Sequence, residues 1–194
     1  MDRSRESHRP SDGRPFGPAD WRVVIETDRL RLAPLMRSDA AAMLPVLDDR
    51  ALHRHTGGEP LDEPALRARF ARLERGEPAD HGEVWANWIV RLRDAHKAIR
   101  YVQATIAADG ADLAWVIGSR WQANGYASEA ARAMATWLRD AGVVALSARI
   151  HPDNEPSARV AARVGLRCTG RLDGDGEVVW ADRPIDARPC RDRR

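Results

Sequence analysis

Apolar positions follow two rhythms along this chain, and the switch between them divides it. Val23-Val24-Ile25 and Leu30-Arg31-Leu32 read as a strand with a bend at Glu26-Thr27-Asp28, and Ser38 is placed to cap a helix running through Leu47. Asp62-Glu63-Pro64 marks another helix start, with a capping carboxylate and proline in the first turn. That helix passes Phe70 and Leu73 and stops at Gly76. Three strands follow, Val84–Leu92, Ile99–Ile106 and Leu113–Ile117, joined by the turns Arg93–Lys97 and Asp109-Gly110. Such short connections predict antiparallel hairpins.

After Ile117 the period changes. Ala130, Met134, Trp137 or Leu138, and Ala141 recur at helical spacing over Ala127–Ala141, and Gly142 ends the run. Val143–Ile150 reads as a buried strand and Asn154–Val164 as a helix closed by Gly165. Leu166–Leu172 and Glu177–Trp180 form a last hairpin around Asp173–Gly176. The predicted fold is therefore mixed, α+β, with one strand–helix–strand unit inside an otherwise antiparallel sheet. No internal repeat is visible.

Composition narrows the function. The length suits one domain, and 43% hydrophobic residues suffice for a core. Nothing approaches the ~18 consecutive apolar residues of a membrane span. Residues 1–20 hold proline, glycine and charge without a period and lack the apolar stretch of a secretory signal, so they read as disordered and the chain as cytoplasmic. Cys168 and Cys190 alone make neither a disulfide framework nor a zinc site. The net charge of +2 equals the surplus of the Arg-rich tail 182–194, so residues 21–181 are close to neutral. A neutral body with a solvated, disordered tail is not a basic nucleic-acid-binding face, so neither nucleic acid nor membrane is an expected partner.

The chemistry concentrates in Trp115-Val116-Ile117-Gly118-Ser119-Arg120-Trp121-Gln122-Ala123-Asn124-Gly125-Tyr126-Ala127. An apolar strand ends, a short loop follows, and Gln122-x-x-Gly125-x-Ala127 opens the long helix. A helix N-terminus carries unpaired N–H groups and partial positive charge, and loop amides can cradle a phosphate. Gly125 leaves room for a diphosphate, and Ala127 keeps the first turn slim. No Lys-Ser/Thr follows the glycine and no Gly-x-Gly-x-x-Gly occurs, which excludes the common nucleotide loops. Close packing of helix on sheet would explain the same small residues.

A second stretch, His151-Pro152-Asp153-Asn154-Glu155-Pro156-Ser157 through Val164-Gly165-Leu166, follows the next strand. The two together resemble the GNAT superfamily of N-acetyltransferases. Gln122, Gly125 and Ala127 match that family's pyrophosphate motif; Asn154, Ser157, Gly165 and Leu166 match its later motif. Ile25-Glu26-Thr27-Asp28-Arg29-Leu30-Arg31-Leu32 resembles the opening strand of the ribosomal-protein-alanine N-acetyltransferase branch. The resemblance spans about residues 21–181. It implies the GNAT fold, a mostly antiparallel sheet splayed around one βαβ unit and flanked by about four helices.

It also implies acetyl-CoA as co-substrate, and an amine acceptor, either a small molecule or a protein N-terminus. The pantetheine arm would run along Trp115, Val116 and Ile117, and the pyrophosphate would sit on Gln122, Ala123, Asn124, Gly125, Tyr126 and Ala127, with Asn154 flanking the arm. A backbone N–H would steady the developing oxyanion. The family's proton-donating Tyr, seven residues after the Asn, is Ala161 here, and Ser157 stands where the ribosomal-protein branch places a donor. The position of a family Glu base is Arg149. His151 and Glu83 are alternative bases, His151 by its ordinary pKa of ~6.5. Trp85 and Trp88 point to opposite faces of their strand, one to the core and one to the acceptor. Trp121 either stacks on the adenine or lies on the surface. The loop Leu52–Gly58 is placed to gate the acceptor, and its two His make no metal site. Homodimers are common in the family. A non-catalytic acyl-CoA sensor is the competing reading.

Overall fold

The computed structural model describes residues 20–47, 61–76 and 82–183. The two expected disordered termini, apart from Asp20, Asp182 and Arg183, and the loop Leu52–Gly58 lie outside the described residues.

The strands are β1 (Ile25–Glu26), β2 (Leu30–Pro34), β3 (Val84–Leu92), β4 (Ala98–Ala107), β5 (Gly110–Ile117), β6 (Leu146–Ile150), β7 (Arg167–Leu172) and β8 (Val178–Ala181). The helices are α1 (Ala40–Leu47), α2 (Glu63–Arg75), α3 (Tyr126–Asp140) and α4 (Glu155–Val164). The strands form one eight-stranded sheet in the order β1-β2-β3-β4-β5-β6-β8-β7. Every neighbouring pair is antiparallel except β5 and β6. The mixed α+β fold with a βαβ unit, expected from the change of period, is the fold observed.

Alternation along the strands sorts side chains into two cores. Trp88, Val90, Val102 and Leu113 meet Met134 and Leu138 of α3 and Val160 of α4 on one face. Ile89 and Ala98 meet Met43 of α1 and Leu66 and Phe70 of α2 on the other. Trp88 is fully buried, edge-on to Trp21 at 5.7 Å and to Trp137 at 5.5 Å, and its Nε1 donates to the Val23 carbonyl at 3.0 Å. Burying such rings supplies much of a core's stabilisation.

Local signals account for α2. The Asp62 carboxylate accepts the Ala65 N–H at 2.9 Å, Pro64 lies in the first turn, and Gly76 closes the helix in the left-handed region at φ 72°.

Three expectations need correction. Residues 26–28 are no bend within one strand: the Thr27 N–H donates to the Leu30 carbonyl and its hydroxyl accepts the Leu30 N–H, both at 2.9 Å, so β1 folds back on β2 with Ile25 opposite Leu32. Ser38 caps nothing. It is exposed within the 3₁₀ turn Arg37–Asp39, and the Asp39 carboxylate takes the Met36 N–H at 2.9 Å. The strand expected from Val143 begins at Leu146, and Val144 is exposed. The chain leaves α3 through a turn in which Val143 N–H reaches back to the Leu138 carbonyl. Among the described residues no helix is long and apolar enough to cross a membrane.

Candidate active site

β5 and β6 part almost at once. They pair only through Ala111 with Leu146 and Asp112 with Ser147. Close approach fixes that start: a Cβ on Gly110 would lie 2.5 Å from the Ala145 carbonyl oxygen. Beyond it β5 stays with β4 as far as Ile117, whereas β6 turns to β8. The β6-facing edge of Leu113–Ile117 is left without a strand neighbour, and a cleft of about 710 Å³ opens there.

At the wide end of the cleft, the 3₁₀ turn Ser119–Trp121 leads into the loop that opens α3. Gln122 Nε2 donates to the Ile117 carbonyl at 3.1 Å, fastening the loop to the last residue of β5. Ala123 has φ 63° and Gly125 φ 80°, both left-handed. That conformation suits glycine but strains alanine, and strained backbone clusters at ligand sites. Gly125 is the N-cap of α3 and brings no side-chain acceptor, so no side chain caps the first turn. An uncapped helix end on a cleft presents N–H groups and the positive end of the helix dipole.

The other wall comes from β6 and α4. Asn154 caps α4, its Oδ1 accepting the Ser157 N–H at 3.2 Å. His151 Nδ1 accepts the Asp153 N–H at 3.2 Å and thereby shapes the turn before α4. Trp115, Val116, Ile117, Gln122, Ala123, Gly125, Tyr126, Ala127, His151, Asn154 and Ser157 all line the one cleft. Asn124 does not. Its Nδ2 donates to the carbonyls of Gln122, at 2.9 Å, and Trp121, at 3.3 Å, so it holds the loop from within.

Comparison with known proteins decides the family. Residues 29–167 match the acetyltransferase (GNAT) domain, well over half of the chain. The chain belongs to the GNAT acetyltransferase family. Acetyl-CoA is the co-substrate of that family. No curated protein matches the sequence. Among solved structures, the fold is similar to a GNAT-family acetyltransferase from Bacillus anthracis, with 20% identity, 82% of this chain and 97% of that one covered, and a TM-score of 0.68. It is similar to an acetyltransferase from Agrobacterium tumefaciens at 21% identity, covering 82% and 93%, with a TM-score of 0.62. It is also similar to RimL, a ribosomal L7/L12 alpha-N-protein acetyltransferase in complex with coenzyme A, at 16% identity, covering 86% and 100%, with a TM-score of 0.67.

Several residues of this GNAT chain stand where local patterns do not show them. Arg149 is held between Asp112, at 2.5 Å, and Asp173, at 3.3 Å. Glu177, from the β7–β8 turn, and Arg163, whose Nη1 donates to Ser128 Oγ at 3.2 Å, also line the cleft. Ala161, at the vacant Tyr position, is fully buried. Glu83 is not on the cleft. It precedes Val84, which pairs with Ile106, at the end of the sheet away from Ile117. Trp88 is the core member of the tryptophan pair on β3, and Trp85 is partly exposed on the opposite face. Trp121 is not loose on the surface: its ring lies so close to Gly118 that a Cβ there would be 2.9 Å away, and it bridges the two cores. Among the described residues, no three His, Cys, Asp or Glu side chains gather as a metal site.

The titration of one carboxyl stands out. Burial pushes the Glu129 pKa up, but hydrogen bonds from the Thr27 hydroxyl and from the Arg29 side chain and N–H, with the Arg29 charge, outweigh burial and hold it below its ordinary value. Glu129 lies in the first turn of α3, so the β1–β2 turn is bound to the helix at the mouth of the cleft.

Proposed function

We propose that the chain is an N-acetyltransferase that moves the acetyl group of acetyl-CoA directly to an amine in a ternary complex, the acceptor being a small-molecule amine or a protein N-terminus. The observation that carries this reading is the wedge between β5 and β6, ending at the uncapped N-terminus of α3. An extended pantetheine arm suits the free edge of Leu113–Ile117, as an added strand would. A diphosphate suits the amides around Gly125. The amine nitrogen forms its bond to the thioester carbon, the carbon–sulfur bond breaks, the amine loses a proton and the thiolate gains one. Ser157 lines the cleft with its N–H already bound by Asn154, which leaves its hydroxyl available for that last proton. His151 reaches the same cleft as a candidate base, although the turn uses its Nδ1.

A second reading, an acyl-CoA sensor without turnover, is favoured by Arg149 and Ala161. The first is a cation tied to two aspartates and the second a buried methyl, where base and acid would stand.

Thermal unfolding with and without acetyl-CoA tests the binding half of both readings. Ligand at ~100 times its dissociation constant stabilises a native state by about 2.7 kcal/mol, a rise of roughly 5–10 °C for a domain of this size. The rise is expected in the wild type and absent in a folded Gly125→Glu. Turnover with a panel of amines then separates enzyme from sensor. No rise at millimolar acetyl-CoA in well-folded protein overturns both.

A further inference from the structure

The opening motif Thr27-Asp28-Arg29-Leu30 has no part in the reaction just described, yet it is bonded both to the loop before α3 and to the first turn of that helix. Arg29 reaches three points at the start of α3. Its Nη1 donates to the Asn124 carbonyl at 3.1 Å, its Nε donates to Glu129 Oε2 at 2.7 Å, and its guanidinium lies 4.7 Å from the centre of the Tyr126 ring. The Arg29 backbone N–H donates to Glu129 Oε1 at 3.1 Å, and the Thr27 hydroxyl to the same oxygen at 2.6 Å. A Cβ on Gly125 would touch Arg29 Nη2 at 3.5 Å, so the guanidinium backs directly onto the glycine. Gly125 borders the cleft, and Arg29 does not.

We propose that Arg29 is a positioning residue for diphosphate binding: by holding the Asn124 carbonyl away from the cleft, it turns the Gly125 N–H towards the diphosphate. The proposal rests on the acetyl-CoA reading above. In a trans peptide the C=O and the N–H point to opposite sides. A guanidinium on the Asn124 carbonyl therefore directs the amide of the same peptide the other way, and polarises it into a stronger donor. Arg29 also neutralises Glu129, whose charge in the first turn of α3 would otherwise oppose an anion there. The Glu129 carboxylate in turn fixes the guanidinium by a charge-assisted bond.

Two acyl donors separate this role from general support of the fold. Acetyl-CoA carries the diphosphate, and S-acetylpantetheine carries the same thioester and arm without one. Binding of each is followed by tryptophan fluorescence, since Trp115 and Trp121 line the cleft, on wild type, Arg29→Ala and Arg29→Lys. The Arg29 side chain is half exposed, and a thermal melt of each variant selects folded protein for the comparison. Arg29→Ala is expected to weaken acetyl-CoA about tenfold or more, the scale of a lost charged hydrogen bond, and to leave S-acetylpantetheine unchanged. Arg29→Lys, which keeps the charge and one donor, recovers part of the loss. Equal weakening of both donors, or unchanged acetyl-CoA binding in Arg29→Ala, overturns the positioning role while the acetyl-CoA reading stands. Failure of the wild type to bind acetyl-CoA overturns both.

Discussion

Gln122 donates its side-chain N–H to the carbonyl of Ile117 at 3.1 Å, so the residue that opens the α3 loop is fastened to the residue that ends β5. This bond ties the position of the loop to the strand end. Gln122→Ala leaves that carbonyl without its partner and is expected to lower stability by about 1 kcal/mol, with acetyl-CoA binding weakened several-fold. Paired thermal melts and fluorescence titrations check it, and unchanged binding would show that the loop keeps its shape without this tie.

Ser157→Ala separates chemistry from binding. Asn154 caps the Ser157 backbone N–H, not its hydroxyl, so helix α4 survives the change. Stability is expected to move by no more than about 0.5 kcal/mol and acetyl-CoA affinity not at all. With an accepted amine in hand, kcat falls about 10²-fold or more, the lower end of general acid contributions. A wild-type kcat would assign the thiolate proton to water.

Glu129 gives the fold an acid-sensitive joint. Its folded pKa is lowered, so the stability it contributes is fully present above the unfolded value of ~4.3 and is lost as pH falls through the folded value. Unfolding free energies measured at steps from pH 6 to pH 3 should fall less steeply below ~4.3 in Glu129→Gln than in the wild type. Parallel curves would remove Glu129 from the acid response.

Trp88→Ala tests the core apart from the cleft. It removes a fully buried ring with edge contacts to two other tryptophans, and it frees the Val23 carbonyl. A loss of about 3–5 kcal/mol is expected, read from urea titrations. Acetyl-CoA affinity of the protein that stays folded is expected to be unchanged, because Trp88 does not line the cleft.

Legibility in the sequence followed distance along the chain. Asp62, Pro64 and Gly76 announce α2 because capping is settled within four residues. The change of period after Ile117 announces the βαβ unit for the same reason. Local signals also misled: Ser38 has the chemistry of a cap, but the turn before α1 is closed by the Asp39 carboxylate reaching back to the Met36 N–H. Thr27 could bend a strand or reverse it, and its hydroxyl bond to Leu30 selects reversal. Asn124 stands inside the motif expected to hold a diphosphate, but its amide finds two carbonyls in its own loop. The Arg29–Glu129 pair was out of reach, since no periodicity joins residues a hundred positions apart.

The parting of β5 and β6 has a mechanical side. The sheet is two plates, β1 to β5 and β6-β8-β7, stitched together by two residue pairs at one end. A seam that short is a weak line between the two plates, because backbone hydrogen bonds across it are few and the space beside it admits water. A ligand lying in the gap stitches the plates a second time, from Leu113 to Ile117. Amide exchange across those residues should slow on acetyl-CoA binding more than anywhere else in the sheet, and the two plates should then open together rather than one after the other.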